Sequence, residues 1–248
     1  MCLIVFAWRP GHPQPLVVAA NRDEFYARPS LPLAQWPETP QVYAGRDLEA
    51  GGTWLGVGAN GRFAALTNIR DPQQPPGRRS RGELVARFLT GEVSIDDYLS
   101  DVVARSSEYG GFNLLVGNAN ELWHFNARES EPVMLPAGVH GLSNARLDTP
   151  WPKLLKAKAA LSEVLDDPQP QALLALLSDS QPAPVAELPD TGVGLATETL
   201  LSSVFIASQS YGTRASTALI VQADGTRHLV ERSFGPFGGH LGEVEIRL

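Results

Sequence analysis

Cys2-Leu3-Ile4-Val5-Phe6-Ala7-Trp8, a break at Pro10-Gly11-His12-Pro13, then Pro15-Leu16-Val17-Val18-Ala19-Ala20 running into Asn21-Arg22-Asp23-Glu24: this N-terminal stretch decides the fold. Neither apolar run has a helical period, and each is of strand length. Proline and glycine between them supply turn chemistry, so residues 2–8 and 15–20 read as a buried hairpin. Asn21-Arg22-Asp23-Glu24 ends the second run abruptly. Four polar residues at the end of a buried strand are unfavourable unless solvated or paired. If the hairpin forms, they lie near Cys2.

Downstream, residues 25–50 are rich in proline and polar groups and read as a long irregular excursion, a kind of loop that often borders a site. Residues 53–68 form a hairpin around Asn60-Gly61, whose positive φ angles suit a tight turn. After a loop at 70–79, Ser80-Arg81-Gly82-Glu83 matches a capping box, with Leu84, Val85, Phe88 and Leu89 on one helix face. A second helix is expected over 94–107, opened by Ser94. Residues 112–126 read as a hairpin, and 133–135 and 139–143 as short strands. Thr149-Pro150 starts a helix running to about 165, with proline at its first position. Another helix covers 169–178, and 181–194 is a Pro/Gly loop. Strands return at 202–207, 215–222 and 226–233. Tight hairpins imply antiparallel sheets. Two such sheets face to face, with helices outside, satisfy the order of elements within a single domain spanning 1–248.

Composition excludes several classes. The 248 residues are 43% apolar and 19% charged, with net charge −7, which is globular rather than disordered. The acidic balance disfavours nucleic-acid partners. No apolar run reaches the roughly eighteen residues of a membrane-spanning helix, so no integral membrane segment is expected. No basic region precedes the first apolar run, which argues against a secretory signal. One cysteine allows no intrachain disulfide, which fits a reducing, cytoplasmic compartment. The five histidines are scattered away from ligand spacing, so no metal site and no cofactor is expected. Of the 20 basic residues only Lys153, Lys156 and Lys158 are lysines, which reads as codon bias.

Cys2 is the strongest single chemical feature. Removal of the initiator methionine is favoured before a small residue, and it would leave a thiol and an α-amine on one residue. Their ordinary pKa values lie near ~8.5 and ~8, so the amine can serve as base for its own thiol. A small apolar residue at the head of a buried strand is the alternative. Asp23 can orient the amine and Arg22 can lower the thiol pKa; the alternative is a polar turn. Asn68 and Asn144 each follow an apolar strand and can donate to an oxyanion, or simply form turns. Arg214, just before an apolar strand, can bind a carboxylate or phosphate, or lie in a solvated loop.

Met1-Cys2-Leu3-Ile4, Ala20-Asn21-Arg22-Asp23-Glu24-Phe25, Gly51-Gly52-Thr53-Trp54-Leu55-Gly56, Leu66-Thr67-Asn68, Gly141-Leu142-Ser143-Asn144 and Tyr211-Gly212-Thr213-Arg214 together resemble the NRDE family, also called TANGO2. The resemblance spans almost the whole chain, in the family's order. It implies an α+β fold, the four-layer αββα sandwich of the N-terminal-nucleophile (Ntn) hydrolases. A more distant similarity is to cholylglycine hydrolases and penicillin V acylases. By that similarity Cys2 is nucleophile and base, Arg22 and Asp23 orient it, Asn68 and Asn144 serve the oxyanion, and Arg214 completes the pocket. The same motifs make Asn21, Glu24, Trp54 and Tyr211 candidate substrate contacts. The hydrolases separate their arginine and aspartate by two residues, whereas Arg22 and Asp23 are adjacent, so Asn21 or Glu24 is an alternative holder of the equivalent position. The resemblance also carries links to lipid homeostasis, acyl-CoA and haem. The expectation is therefore a cysteine hydrolase of an amide or thioester, with a non-catalytic acyl-CoA or lipid binder, or a haem-handling protein, as the alternatives.

Overall fold

The computed structural model describes residues 2–248. Backbone contacts divide it into two compact units: the chain up to Ala27 with Arg70–Pro72 and Ala137–Leu248, and Arg28–Ile69 with Gln73–Pro136.

The first unit is built on the N-terminal hairpin. β1 (Cys2–Trp8) and β2 (Leu16–Phe25) pair antiparallel with Cys2 opposite Arg22 and Trp8 opposite Leu16. With β10 (Gly138–Leu142), β11 (Tyr211–Val221), β12 (Arg227–Phe234) and β13 (His240–Arg247) they form a six-stranded antiparallel sheet, ordered β10-β1-β2-β11-β12-β13. Alternate residues of a strand share a face. Leu3, Val5, Ala7, Val17, Ala19, Ala218, Ile220 and Val230 thus make one apolar surface. Two helices cover it: α3 (Pro152–Val164) through Leu154, Ala157 and Leu161, and α4 (Pro170–Leu176) through Leu173 and Leu174. Each such leucine contributes about 1.5–3 kcal/mol by leaving water. A short helix, α5 (Leu195–Leu200), follows the proline-rich loop.

The second unit repeats the plan. Its seven-stranded antiparallel sheet runs, in order, β3 (Ser30–Trp36), β4 (Thr39–Asp47), β5 (Leu55–Val57), β6 (Phe63–Asn68), β7 (Phe112–Gly117), β8 (Leu122–Asn126) and β9 (Val133–Met134). α1 (Gly82–Thr90) and α2 (Ile95–Ala104) pack Leu84, Val85, Phe88, Leu99 and Val102 against Ala64, Leu66, Leu114, Val116 and Phe125. Ser94 caps α2 as expected, its Oγ accepting from the Asp97 N–H at 3.1 Å.

Several expectations are corrected. Residues 25–50 are not irregular: β2 continues through the polar tetrad to Phe25, and β3 and β4 form a hairpin. Three prolines hide the pattern, since only Leu33 and Trp36 of β3 are buried. The capping box does not form. Arg81, not Ser80, precedes α1, and Glu83 instead accepts from the Tyr109 hydroxyl and pairs with Arg79. α3 takes Pro152 rather than Pro150 as its first residue, because a residue before proline is held extended and Trp151 is at φ −70°, ψ 143°. Residues 202–207 are not a strand. Their amides bond elsewhere, Phe205 N–H to Asp179 O at 2.8 Å and Ile206 N–H to Thr213 Oγ1 at 3.0 Å. α5 and β13 lie where the sequence reading placed no element.

Candidate functional site

Cys2 sits at the head of β1 with 8% of its surface exposed. Its partner across the hairpin is Arg22, so the two side chains leave the same face of the sheet, neighbours at about 5 Å between Cβ atoms. Burial pushes the Cys2 thiol up and Asp23's charge adds to that, while Arg22 and the Asp23 backbone N–H, which hydrogen-bonds the sulfur, pull it down. The environment thus sets desolvation against two features that favour thiolate. Ser143, just beyond β10, places its hydroxyl 3.4 Å from the Cys2 carbonyl oxygen and 3.2 Å from Asn144 Oδ1. Asn144 is 1% exposed, and its carbonyl accepts from the Arg70 N–H at 2.8 Å.

Asp23 is buried one residue further along β2, on the opposite face from Arg22. The Thr213 hydroxyl donates to its Oδ1 at 2.8 Å. Burial pushes the Asp23 carboxyl up, opposed by Lys153, the Thr213 bond and Arg70. Asn21 shares Asp23's face, but its amide is fully committed. Nδ2 donates to Leu177 O at 3.0 Å and Val204 O at 2.8 Å, and Oδ1 accepts from Ser216 at 2.6 Å. It is a clamp holding β2 to β11 and to the segments after α4 and α5. Glu24 is half-buried and accepts from the Phe25 N–H at 2.8 Å.

Arg214 owes its position to a β-bulge. Thr213 pairs with Asp23 and Ala215 with Arg22, leaving Arg214 as the extra residue. Its guanidinium donates to the carbonyls of Phe25 and Tyr26 at 3.0 and 3.3 Å. Burial and then the like charge of Arg22 push it down, so the two arginines share a field. Tyr211 stands edge-on to Phe25 with ring centroids 5.1 Å apart, and burial followed by the charges of Asp23 and Cys2 pushes its phenol up.

Asn68 and Trp54 belong to the second unit. Asn68 ends β6, half-buried, opposite Phe112. Trp54 is half-buried against Gly45, where an added Cβ would lie 2.3 Å from its ring.

The structure adds three charged residues that the sequence reading missed. Lys153 in the first turn of α3 is 2% exposed, and burial pushes its ammonium down to about 8 against the opposing pull of Asp23. Arg70 stacks over Trp151 at 4.7 Å and forms a buried ion pair with Glu198 of α5. Glu198 also accepts from the Thr191 N–H and hydroxyl at 2.8 and 2.6 Å. The clustering of all lysines in one segment was the only available sign of Lys153; nothing local marks Arg70 or Glu198. Cys2, Arg22, Asp23, Asn144, Tyr211 and Arg214 all belong to the first unit, as do these three. No group of three or more metal-ligating side chains occurs among the described residues.

Residues 1–236 match the profile of a family described as Transport and Golgi organisation 2. The human Transport and Golgi organization protein 2 homolog is 38% identical over 256 residues, covering 94% of this chain and 93% of that protein. The Bos taurus homolog is 38% identical over 260 residues with the same coverage. The Drosophila melanogaster protein is 28% identical over 272 residues, covering 97% of this chain and 94% of its own. Among solved structures, the Caenorhabditis elegans ortholog of N-acylethanolamine-hydrolyzing acid amidase superposes with a TM-score of 0.52 at 12% identity, covering 90% of this chain and 96% of that one. That likeness is one of fold, and it makes the α+β architecture Ntn-hydrolase-like.

Proposed function

The chain belongs to the Transport and Golgi organisation 2 (TANGO2) family, and from that premise we propose that it is a hydrolase whose nucleophile is the Cys2 thiol, cleaving an amide or thioester of a small or lipid-like substrate. The observation that carries the reading is the placement of Cys2 beside Arg22, with the Asp23 N–H on its sulfur and the Asp23 carboxylate held by Thr213. The solved neighbour named for hydrolysing N-acylethanolamines, which are amides, supports that bond class.

Removal of Met1 frees the Cys2 α-amine, which takes the thiol proton directly or through water. The thiolate forms a C–S bond to the substrate carbonyl carbon, and the carbonyl electron pair moves to oxygen. Asn144 is the proposed donor to that oxyanion. As the tetrahedral adduct collapses, the ammonium returns its proton to the leaving amine or thiol, leaving a thioester on Cys2. Water, deprotonated by the same amine, then hydrolyses the thioester and restores the thiol. Arg22 stabilises thiolate, and Arg214 beside it favours a substrate with negative charge at that edge.

The test is hydrolysis of a panel of fatty-acyl amides and acyl thioesters by protein expressed without an N-terminal tag. Wild type is expected to turn over at least one class and Cys2→Ala none. Turnover by Cys2→Ala at the wild-type rate removes Cys2 as nucleophile. A second reading, a binder of anionic acyl compounds, is favoured by the shared field of Arg22 and Arg214. It predicts binding by Cys2→Ala with no turnover by either protein.

A further inference from the structure

Asp23 is a buried acid whose charge is not balanced by its nearest neighbours. It is 1% exposed, and the Thr213 hydroxyl that donates to its Oδ1 at 2.8 Å is neutral. A carboxylate taken out of water needs a compensating cation as well as hydrogen bonds. Arg22 is next to it in the chain, but strand alternation turns that side chain to the opposite face, with Cys2. Arg70 is already matched by Glu198, in a pair whose side chains are each 4% exposed.

Lys153 is the other buried cation of this cluster. Of the three lysines in the chain, Lys156 pairs with Asp179, and Lys158 with Asp148 at 2.6 Å. Lys153 is 2% exposed, and its Nζ makes no hydrogen bond among the described residues. Its helix covers the face that Asp23 shares. Leu154, the next residue, packs with Leu3, Val5, Val17 and Ala19. The period of β2 puts Asn21 and Asp23 on the side of Val17 and Ala19. Among the charges acting on Lys153, Asp23 of β2 is the strongest; Arg70 opposes it, and Cys2 of β1 and Glu198 of α5 add to it. Lys153 is in turn the strongest side-chain charge acting on Asp23, ahead of Arg70. Tyr26 and Tyr211 also lie in the field of Asp23. The attraction works without a direct hydrogen bond, in an interior that screens charge poorly.

We propose that Lys153 is a positioning residue of the Cys2 site: the buried countercharge of the Asp23 carboxylate, set over the same face of the sheet. The proposal rests on the hydrolase reading for what Asp23 does, and extends that site to a residue that touches neither thiol nor substrate. With the ammonium in place, Asp23 stays charged next to the Cys2 terminus. Without it, burial drives the carboxyl towards the neutral acid, which no longer attracts the α-ammonium formed when the amine takes the thiol proton.

Charge coupling is reciprocal, so two variants measure the same quantity. The experiment is an NMR pH titration of protein labelled with carbon-13 at lysine Cε and at the aspartate carboxyl. The Lys153 signal is assigned by its loss in Lys153→Met, and the Asp23 signal by its loss in Asp23→Asn. Asp23→Asn is expected to lower the Lys153 midpoint by about one pH unit or more, and Lys153→Met to raise the Asp23 midpoint by the same amount. Asp23→Asn keeps the lysine and the side-chain volume, so that arm stands even if Lys153→Met does not fold. A midpoint that does not move in either variant overturns the proposal. In hydrolysis, the acidic limb of the kcat/KM profile is expected to move to higher pH in Lys153→Met and to return in Lys153→Arg, which restores the positive charge. A slower variant whose limb stays in place marks a packing role alone and overturns the positioning role. Absence of turnover by wild type defeats the hydrolase reading instead, and the two NMR midpoints still decide the charge pairing.

Discussion

Lys153 gives the most quantitative prediction. Its ammonium is buried against Asp23, Arg70, Cys2 and Glu198, and its pKa falls from 10.5 to about 8. A base whose folded pKa lies below its unfolded value opposes folding while both states are protonated. Below about pH 8 that opposition is constant. Between about 8 and 10.5 the folded chain sheds the proton first, the unfolded chain binds more protons, and stability rises with pH. Above that range the opposition has gone. A shift of about 2.5 units at 1.36 kcal/mol per unit makes the swing about 3 kcal/mol. Lys153→Met removes this titration. Urea unfolding of both proteins from about pH 7 to about pH 10.5 isolates it, because groups common to both largely cancel in the difference. The stability of wild type relative to the variant is expected to be flat to about pH 8 and then to climb by about 3 kcal/mol. A difference that stays flat across the window refutes the reasoning, since it leaves Lys153 at an ordinary pKa in the folded chain.

Three further outcomes follow from the same geometry. Asn21→Asp turns a double donor into an acceptor facing the carbonyls of Leu177 and Val204, so it is expected to destabilise by about 3–5 kcal/mol in urea unfolding; a loss under about 1 kcal/mol removes the clamp role. Glu198→Gln strands Arg70 in a site where both side chains are 4% exposed, with an expected loss of about 3–5 kcal/mol measured the same way. Cys2 is buried with a raised pKa, so its alkylation by iodoacetamide at neutral pH is expected to be slower than that of a free cysteine and to accelerate as pH rises; a rate equal to free cysteine contradicts the burial.

The N-terminal hairpin was legible because its strands are unbroken apolar runs flanking Pro-Gly, and the paired helices because their apolar faces keep the helical period. β3 and β4 were not, because prolines 32, 37 and 40 interrupt an alternation in which few positions are buried. β13 carries alternation, with Glu243, Glu245 and Arg247 against Val244 and Ile246, but as an edge strand it has little apolar content to mark it. In the site, the polar tetrad after an apolar run pointed to Arg22 and Asp23. Their separate roles come only from register: position 22 faces with Cys2, and position 23 faces the other way toward Thr213. Asn21 looked like a substrate contact because a buried amide and a reactive one are the same letters; only its three partners distinguish them. Arg70, Lys153 and Glu198 come from three distant segments, and no local pattern joins charges brought together by tertiary folding.

The central claim is that Cys2 acts with its own α-amine. The intact mass of protein expressed from its native start codon, with no N-terminal tag, tests it most directly. The account predicts a mass lower by one methionine, with Cys2 as the first residue. A mass that retains methionine leaves the α-amine of Cys2 in a peptide bond and contradicts it.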